Sequence, residues 1–432
     1  MISVPNLLQP LSGNKSFLII IFFVLSSCGL LKGTNVPIED KEIASTNKEN
    51  KKEVAIKKKE TPEIINKTQP KETKTVWFQG EKYEVELAKD KEFKIALLLP
   101  FNVDKTNTSD VKLGDIMFDY YHGWIQAFNE LEKYGFNAKI YVYDTQNDSA
   151  ILAKILSNNV LKQMDVIVGP ITDKQMKMVA AFGEINRIIV FSPFTPLDKL
   201  TANGQHFYNF GVDHKSKAIQ IANYIKKAHK NDKILIVRDG KKYDKEFVPY
   251  LMDELTNKNI AYTIVNFSNI NNWNALLNAE NHLIYIPTAE KNVVSVSLGN
   301  IFSTKKKVEV LGEYKWVEFV NNDYKFWSTL NVHLLASTYI DYNDTLSFEF
   351  RDNYRLAYKI DPTEYAYTGY SQGRLLGEAL SAFGVHFTEF INKRNLVYNG
   401  TCFEFDKHDG LNKNKHLWVL KFENGRLMPL KY

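Results

Sequence analysis

Cysteine is nearly absent: the 432-residue chain has two, Cys28 and Cys402. A count of two excludes a disulfide framework and a cysteine-based zinc site. The nine histidines form no HExxH and no clustered ligand spacing, so no metal is expected. No GxGxxG follows the first apolar run and no GxxxxGKS/T occurs anywhere, so the turns that cradle nucleotide phosphates are missing. A cofactor is therefore not expected. Charge of one sign is also scarce. The net charge is +5 and the lysines crowd into one N-terminal tract, leaving no basic patch interleaved with aromatics for nucleic acid.

What is present is ordinary for a globular protein: 44% hydrophobic and 24% charged residues. The length suits two domains with extensions rather than one core. At the N-terminus, Lys15 precedes an apolar run of signal-peptide length, too short for a comfortable membrane span and without a stop-transfer flank. Leu25-Ser26-Ser27-Cys28 then matches the bacterial lipobox, so residues 1–27 are expected to be a signal peptide and Cys28 the lipidated residue. Gly29 after the cysteine favours the outer membrane under the sorting rule of enteric lipoproteins. From about Lys32 to Asp90 the chain is rich in Lys, Glu, Thr, Asn and Pro, which cannot bury enough surface to offset ordering entropy. Residues 28–90 thus read as a lipidated tether spanning on the order of 40 Å, with weak alternation at Trp77–Leu87 for a short strand or hairpin.

The folded region is organised around Asp165–Pro196. Two short branched-apolar runs, Asp165–Val168 and Ile188–Phe191, read as strands buried on both faces. Between them Met176, Val179, Ala180 and Gly183 mark one face of a helix, and Thr172 with Gln175 has capping-box spacing. Upstream, Phe93–Leu99 and Ala138–Tyr143 read as strands separated by a helix carrying Met117, Tyr121, Trp124, Phe128 and Leu131. Alternating strands and helices argue a parallel sheet with right-handed crossovers. After Phe207–Asp213 the alternation begins again, with strands at Lys233–Val237, Ala261–Val265, Leu283–Ile286 and Val308–Leu311. This is a second α/β lobe.

The ordered set LLLPF, DYYHGWIQAFNEL, AKIYVYDTQND, GPITD and IVFSPFTP resembles the first lobe of type I periplasmic binding proteins, and most closely bacterial lipoproteins of the amino-acid substrate-binding type. PTEYAYTGYSQGRLLGEAL resembles the late helix of that lobe, with Ser371 where the family has an acid. The likeness spans about Lys94–Leu430. It implies an α/β, two-lobed type I periplasmic binding protein fold, parallel sheets flanked by helices, with hinge crossovers. The expected lobes are residues 91–211 with a return segment 337–385, and 212–336 with a closing segment 386–432. The implied role is non-catalytic binding of a small polar solute, amino-acid or peptide-like, beside a membrane permease and anchored in the periplasm by lipid. The likeness extends to the lipoprotein activator of a peptidoglycan synthase, so a protein-interaction role at a cell-wall synthase stands as the alternative.

Ligand contacts are expected at strand carboxyl ends. In the first lobe these are Phe101, Asn102, Thr172, Asp173, Phe194 and Thr195; in the second, Arg238, Asp239, Thr288, Glu290, Glu313 and Tyr314. Thr172 has two readings, a ligand carboxylate contact helped by the helix dipole and a plain helix cap. Asp173 beside it would repel an anion, and Phe194 has the bulk to fill part of the cleft. Gly369-Tyr370-Ser371-Gln372-Gly373 fits GxSxG, and Ser371, Asp406 and His416 occur in the order of a hydrolase triad. The segment before it is short and polar, unlike the apolar strand a nucleophile elbow needs, so no catalytic residue is expected. Cys402 reads as a small buried hydrophobe in a closing strand.

Overall fold

The computed structural model describes residues 73–78, 81–86, 91–194, 204–319, 324–392, 394–408 and 410–430. The segment read as a signal peptide, Cys28, most of the segment read as tether and Thr195 lie outside the described residues. Within the segment read as tether, β1 (Thr73–Phe78) and β2 (Glu81–Glu86) pair as an antiparallel hairpin.

The first lobe runs β3 (Phe93–Leu99), α1 (Thr108–Glu132), β4 (Ala138–Asp144), α2 (Ser149–Leu156), β5 (Val166–Val168), α3 (Asp173–Asn186), β6 (Ile189–Ser192) and β7 (Phe207–Asn209). These strands are parallel, in the order β7-β6-β5-β3-β4. They are continuous apolar runs because helices cover both faces: Ile95, Leu97 and Leu99 face one core, Ala96 and Leu98 the other. The chain then crosses at residues 210–213 into the second lobe.

There α4 (His214–Ala228), β8 (Lys233–Arg238), α5 (Lys242–Asn257), β9 (Tyr262–Asn266), α6 (Trp273–Leu276), β10 (His282–Tyr285), α7 (Lys291–Ser303), β11 (Glu309–Glu313), α8 (Tyr324–Thr329) and β12 (Val332–Ala336) follow. The strands again run parallel, ordered β12-β11-β10-β8-β9. A second crossover, 337–344, returns to α9 (Thr345–Tyr358) and α10 (Glu364–Phe383) on the first lobe, followed by α11 (Thr388–Ile391).

α10 is buried along most of its length against α1. Glycines permit the approach: a Cβ at Gly369 would lie 2.0 Å from the Tyr120 carbonyl oxygen, and one at Gly123 2.1 Å from that of Ala366.

The closing segment divides, which corrects its assignment to the second lobe alone. β13 (Asn395–Tyr398), β14 (Thr401–His408) and β15 (Leu411–Asn414) join the first sheet, β15 parallel to β7 and the other two antiparallel. A third crossover, 415–417, then leads to β16 (Trp418–Glu423) and β17 (Arg426–Pro429), antiparallel at the edge of the second sheet. Both sheets are thus parallel with antiparallel margins. Side chains decide the split: Asn412 donates to the Phe207 carbonyl at 3.1 Å and Asn414 to that of Phe210 at 3.1 Å, fastening β15 to β7. At the crossovers, Lys413 pairs with Asp213 at 2.5 Å, both nearly fully buried. Asp213 also accepts from Ser216 N–H at 2.7 Å as the cap of α4.

Candidate functional site

A cavity of about 400 Å³ lies between the two sheets, within the range of small-molecule sites. The first lobe contributes Pro193 and Phe194 after β6, Glu364, Tyr365, Thr368 and Gln372 on α10, and Thr401, Phe403 and Asn414. The second contributes His214 and Lys217 on α4, Tyr243 on α5, Leu335 on β12, and Glu313, Tyr314, Lys315 and Glu318 at and after the end of β11. Residues of all three crossovers, such as Gly211, Ser337 and Leu417, complete the wall.

The second-lobe wall carries a closed polar network. Glu313 accepts from Lys217 at 2.5 Å through Oε2 and from the Tyr285 hydroxyl at 2.7 Å through Oε1, and Lys217 also donates to the Tyr243 hydroxyl at 2.7 Å. Burial works to lower the Lys217 pKa, but the Glu313 carboxylate and Tyr243 outweigh it and hold the ammonium above its ordinary value. Burial, then Glu313, pushes the Tyr243 and Tyr285 phenols upward. Lys217 and Glu313 thus form a nearly buried ion pair turned on itself.

On the first-lobe side, the Phe194 ring lines the cleft and meets Tyr120 edge-on at 4.7 Å and Tyr365 at 6.0 Å. Gln372 donates to the Pro193 carbonyl at 3.0 Å and accepts from the Tyr120 hydroxyl, fixing the turn that carries Phe194. At the mouth, Glu364 begins α10 and Glu318 faces it from the other lobe. Burial first and Glu318 second raise the Glu364 pKa, while Lys315 opposes them. Burial, Tyr342 and Glu364 push Tyr314 up to about 12, so its phenol stays neutral.

Residues 127–370 match the model of the receptor family ligand binding region, over half of the chain. The chain belongs to this receptor ligand-binding family. No curated protein sequence matches it. Among solved structures it resembles a branched-chain amino acid ABC transporter protein from Rhodopseudomonas palustris, at 12% identity and a TM-score of 0.55, covering 79% of this chain and 96% of that one. An ABC transporter substrate-binding protein from Desulfitobacterium hafniense gives 16% and 0.53, and one from the same organism in complex with Leu 15% and 0.51, each covering 79% of this chain and all of the other. The likeness establishes the two-lobed type I periplasmic binding protein fold.

Within this receptor-family fold, three of the side chains predicted from strand ends line the cavity: Phe194, Glu313 and Tyr314. The others do not. Phe101 is buried against Phe118 and Tyr121, and Asn102, at a left-handed φ of 55°, donates its N–H to Asp144 at 3.1 Å. Thr172 and Asp173 start α3 beside the α2 cap, in a shallow depression of the first lobe lined by Asn147, Asp148 and Ser149. The Thr172 hydroxyl donates to the Gln175 side chain at 3.3 Å and makes no capping bond, so the expected capping box is absent. Gly169 sets that loop's path. Its φ of 92° is left-handed and a Cβ there would lie 2.2 Å from the Leu98 carbonyl oxygen.

Arg238, Asp239 and Thr288 spend side-chain polar groups on neighbours. Arg238 pairs with buried Asp244 at 2.9 Å; Asp239 accepts from Lys241 N–H at 2.7 Å and from the Thr288 hydroxyl. Thr288 in turn accepts from Glu290 N–H at 3.0 Å. Lys217, Tyr243, Glu318, Glu364 and Gln372 were not foreseen, because they sit on or beside helices whose cleft-facing side is set by tertiary packing. Ser371 lies inside α10, fully buried, donating to the Tyr398 carbonyl at 3.2 Å, rather than on a strand-to-helix elbow. Asp406 is engaged with Lys415 at 3.3 Å, so the three triad candidates have separate partners. Cys402 is buried in β14, and burial with Glu404 pushes its thiol up to about 12.

Proposed function

We propose that this protein captures a small polar solute of amino-acid or peptide type in the interlobe cavity, without catalysis, and closes on it by hinge motion. The observation that carries this reading is the cavity itself, walled by both lobes and by all three crossovers. The family and the fold support it, and one of the similar structures holds Leu. Lipid on Cys28 would tether the domain in the periplasm to a bacterial membrane, the outer membrane favoured by Gly29, with a permease as the partner if capture feeds uptake.

One observation favours a second reading, in which the fold regulates a cell-wall synthase through protein contact. Thr172, the expected carboxylate contact, lies outside the cleft, whose wall carries the bulky Phe194 instead. The test is thermal unfolding of the full chain with amino acids, short peptides, muropeptides and small amines, since binding to the native state raises the midpoint by mass action. Capture predicts a rise with one class that is lost in Ser337→Trp, which fills the cavity from an exposed crossover position. No rise with any solute refutes capture and directs attention to pull-down of peptidoglycan synthases.

A further inference from the structure

The charges around the cavity do not cancel. Both oxygens of Glu313 are taken, one by Lys217 and one by the Tyr285 hydroxyl, so that pair offers a solute neither a free anion nor a free cation. What remains on the wall are the carboxylates of Glu318 and Glu364 against the exposed ammonium of Lys315, with His214 beside Tyr243. Two acids face one base. Among the uncharged lining residues are five aromatic rings, Tyr314 and Tyr365 near the acids and Phe194, Phe210 and Phe403 beside them. The start of α3, the feature that could receive a solute carboxylate, lies outside the cavity and carries Asp173.

We propose that the solute taken by this cavity is an organic cation, a small amine or diamine, held between Glu318 and Glu364 and against the rings of Tyr314 and Tyr365. Carboxylates with aromatic faces are the chemistry that recognises ammonium groups. The two acids come from different lobes, Glu318 following β11 and Glu364 opening α10. Without solute they oppose each other across the cleft, Glu318 adding to the burial that chiefly raises the Glu364 pKa. A cation between them turns that repulsion into attraction for both lobes. This is the differential interaction that a closing ligand must supply. A zwitterion brings its own carboxylate into a cleft with an acid excess and gains less. The assignment rests on solute capture in this cleft and adds the class of solute.

The test is binding to the full chain by calorimetry, with cadaverine and putrescine as diamines, leucine as zwitterion and glutarate as dianion. A diamine is expected to bind more tightly than leucine, and its affinity to fall with added salt. Glu318→Gln and Glu364→Gln should each weaken it about tenfold, the size of a lost hydrogen bond between charged groups. Lys315→Gln should tighten it, which keeps the assignment testable should a Glu variant fail to fold. Leucine or glutarate binding more tightly than the diamines would overturn the cation assignment and leave capture standing. Diamine affinity unchanged in both Glu variants and in Lys315→Gln would do the same. If no probe of any class binds, capture and the cation assignment fall together.

Discussion

Lys413→Met tests how the lobes are fastened. The Lys413 and Asp213 side chains are 4% and 1% exposed and meet at 2.5 Å. Methionine keeps most of the lysine stem's volume and removes the charge. Asp213 then retains the Ser216 N–H at 2.7 Å but loses its counter-ion. Breaking a buried pair on one side costs about 3–5 kcal/mol, because a charge is left uncompensated. Proton uptake sets a ceiling. From an ordinary pKa near 3.9, neutralising the carboxylate at pH 7 costs about 4 kcal/mol at about 1.4 kcal/mol per unit, so the expected loss is about 3–4 kcal/mol.

The pH dependence separates this cause from lost packing. In the wild type, burial pushes the Asp213 pKa up, but Lys413 and Ser216 prevail and hold it below its ordinary value. Its contribution is therefore present above about 3.9 and is lost as pH falls through the lower folded value. In the variant burial alone remains strong, the folded pKa rises, and stability increases as pH falls. Urea unfolding of both proteins between pH 5 and 8 should show a gap that narrows by up to about 1.4 kcal/mol per unit toward acid. Asp213→Asn combined with Lys413→Met should recover much of the loss. A gap below about 1 kcal/mol at pH 7, or one that does not change with pH, would refute the reasoning.

Two further outcomes are expected. Gly369→Ala gains about 1 kcal/mol of helix propensity, but its Cβ would sit 2.0 Å from the Tyr120 carbonyl oxygen and force α10 off α1. The net result should be a loss of about 2 kcal/mol in thermal unfolding, and an unchanged or raised midpoint would contradict that packing. Glu309 lies 2.6 Å from His333 Nδ1 and 3.0 Å from His229 Nε2; burial opposes its charge, yet His229 and His333 hold its pKa down to about 2. Burial likewise lowers the His229 pKa, but Glu309 and Asp232 carry it above 6.5. The carboxylate's contribution holds above 4.5 and fades as pH falls toward about 2, and the histidine's holds below 6.5 and fades as pH rises through its raised value. Glu309→Gln should therefore destabilise most between those two pH values in unfolding scans, and a uniform loss across pH would rule the linkage out.

The parts of the fold legible in the sequence were those governed by local pattern. Ile95–Leu99 and Val166–Val168 are apolar runs because helices cover both faces, and Met176, Val179, Ala180 and Gly183 are buried on α3 as their spacing implies. The weak alternation before Lys91 is a hairpin. What stayed hidden depends on pairing across long separations. Lys413 reads as a surface lysine, and only Asp213, two hundred residues earlier, makes it a buried one. Asn399-Gly400, at φ 53° and 86°, is a strong local signal for the β13–β14 hairpin, yet nothing local says which sheet that hairpin joins. The cavity divides the same way. Phe194, Glu313 and Tyr314 follow strand ends, where sequence pattern points, whereas Lys217 on α4 and Glu364 on α10 face the cleft through the rotation of whole helices.

Three crossings between the lobes, rather than one or two, limit what the molecule can do mechanically. A body joined to another by a single strand can swivel, and one joined by two can still rock about the line through them. The third strand, tied back through Trp418 Nε1 to the Gly400 carbonyl at 3.0 Å, and the second, tied through Asp341 N–H to the Asn399 carbonyl at 2.9 Å, narrow that remaining freedom. In the hinge motion proposed above, the lobes would then move chiefly along one coordinate, opening against closing. Whatever occupies the cleft and whatever grips the outer faces of both lobes must then act on the same variable, so occupancy inside can be read from outside as a change in the spacing of two rigid plates.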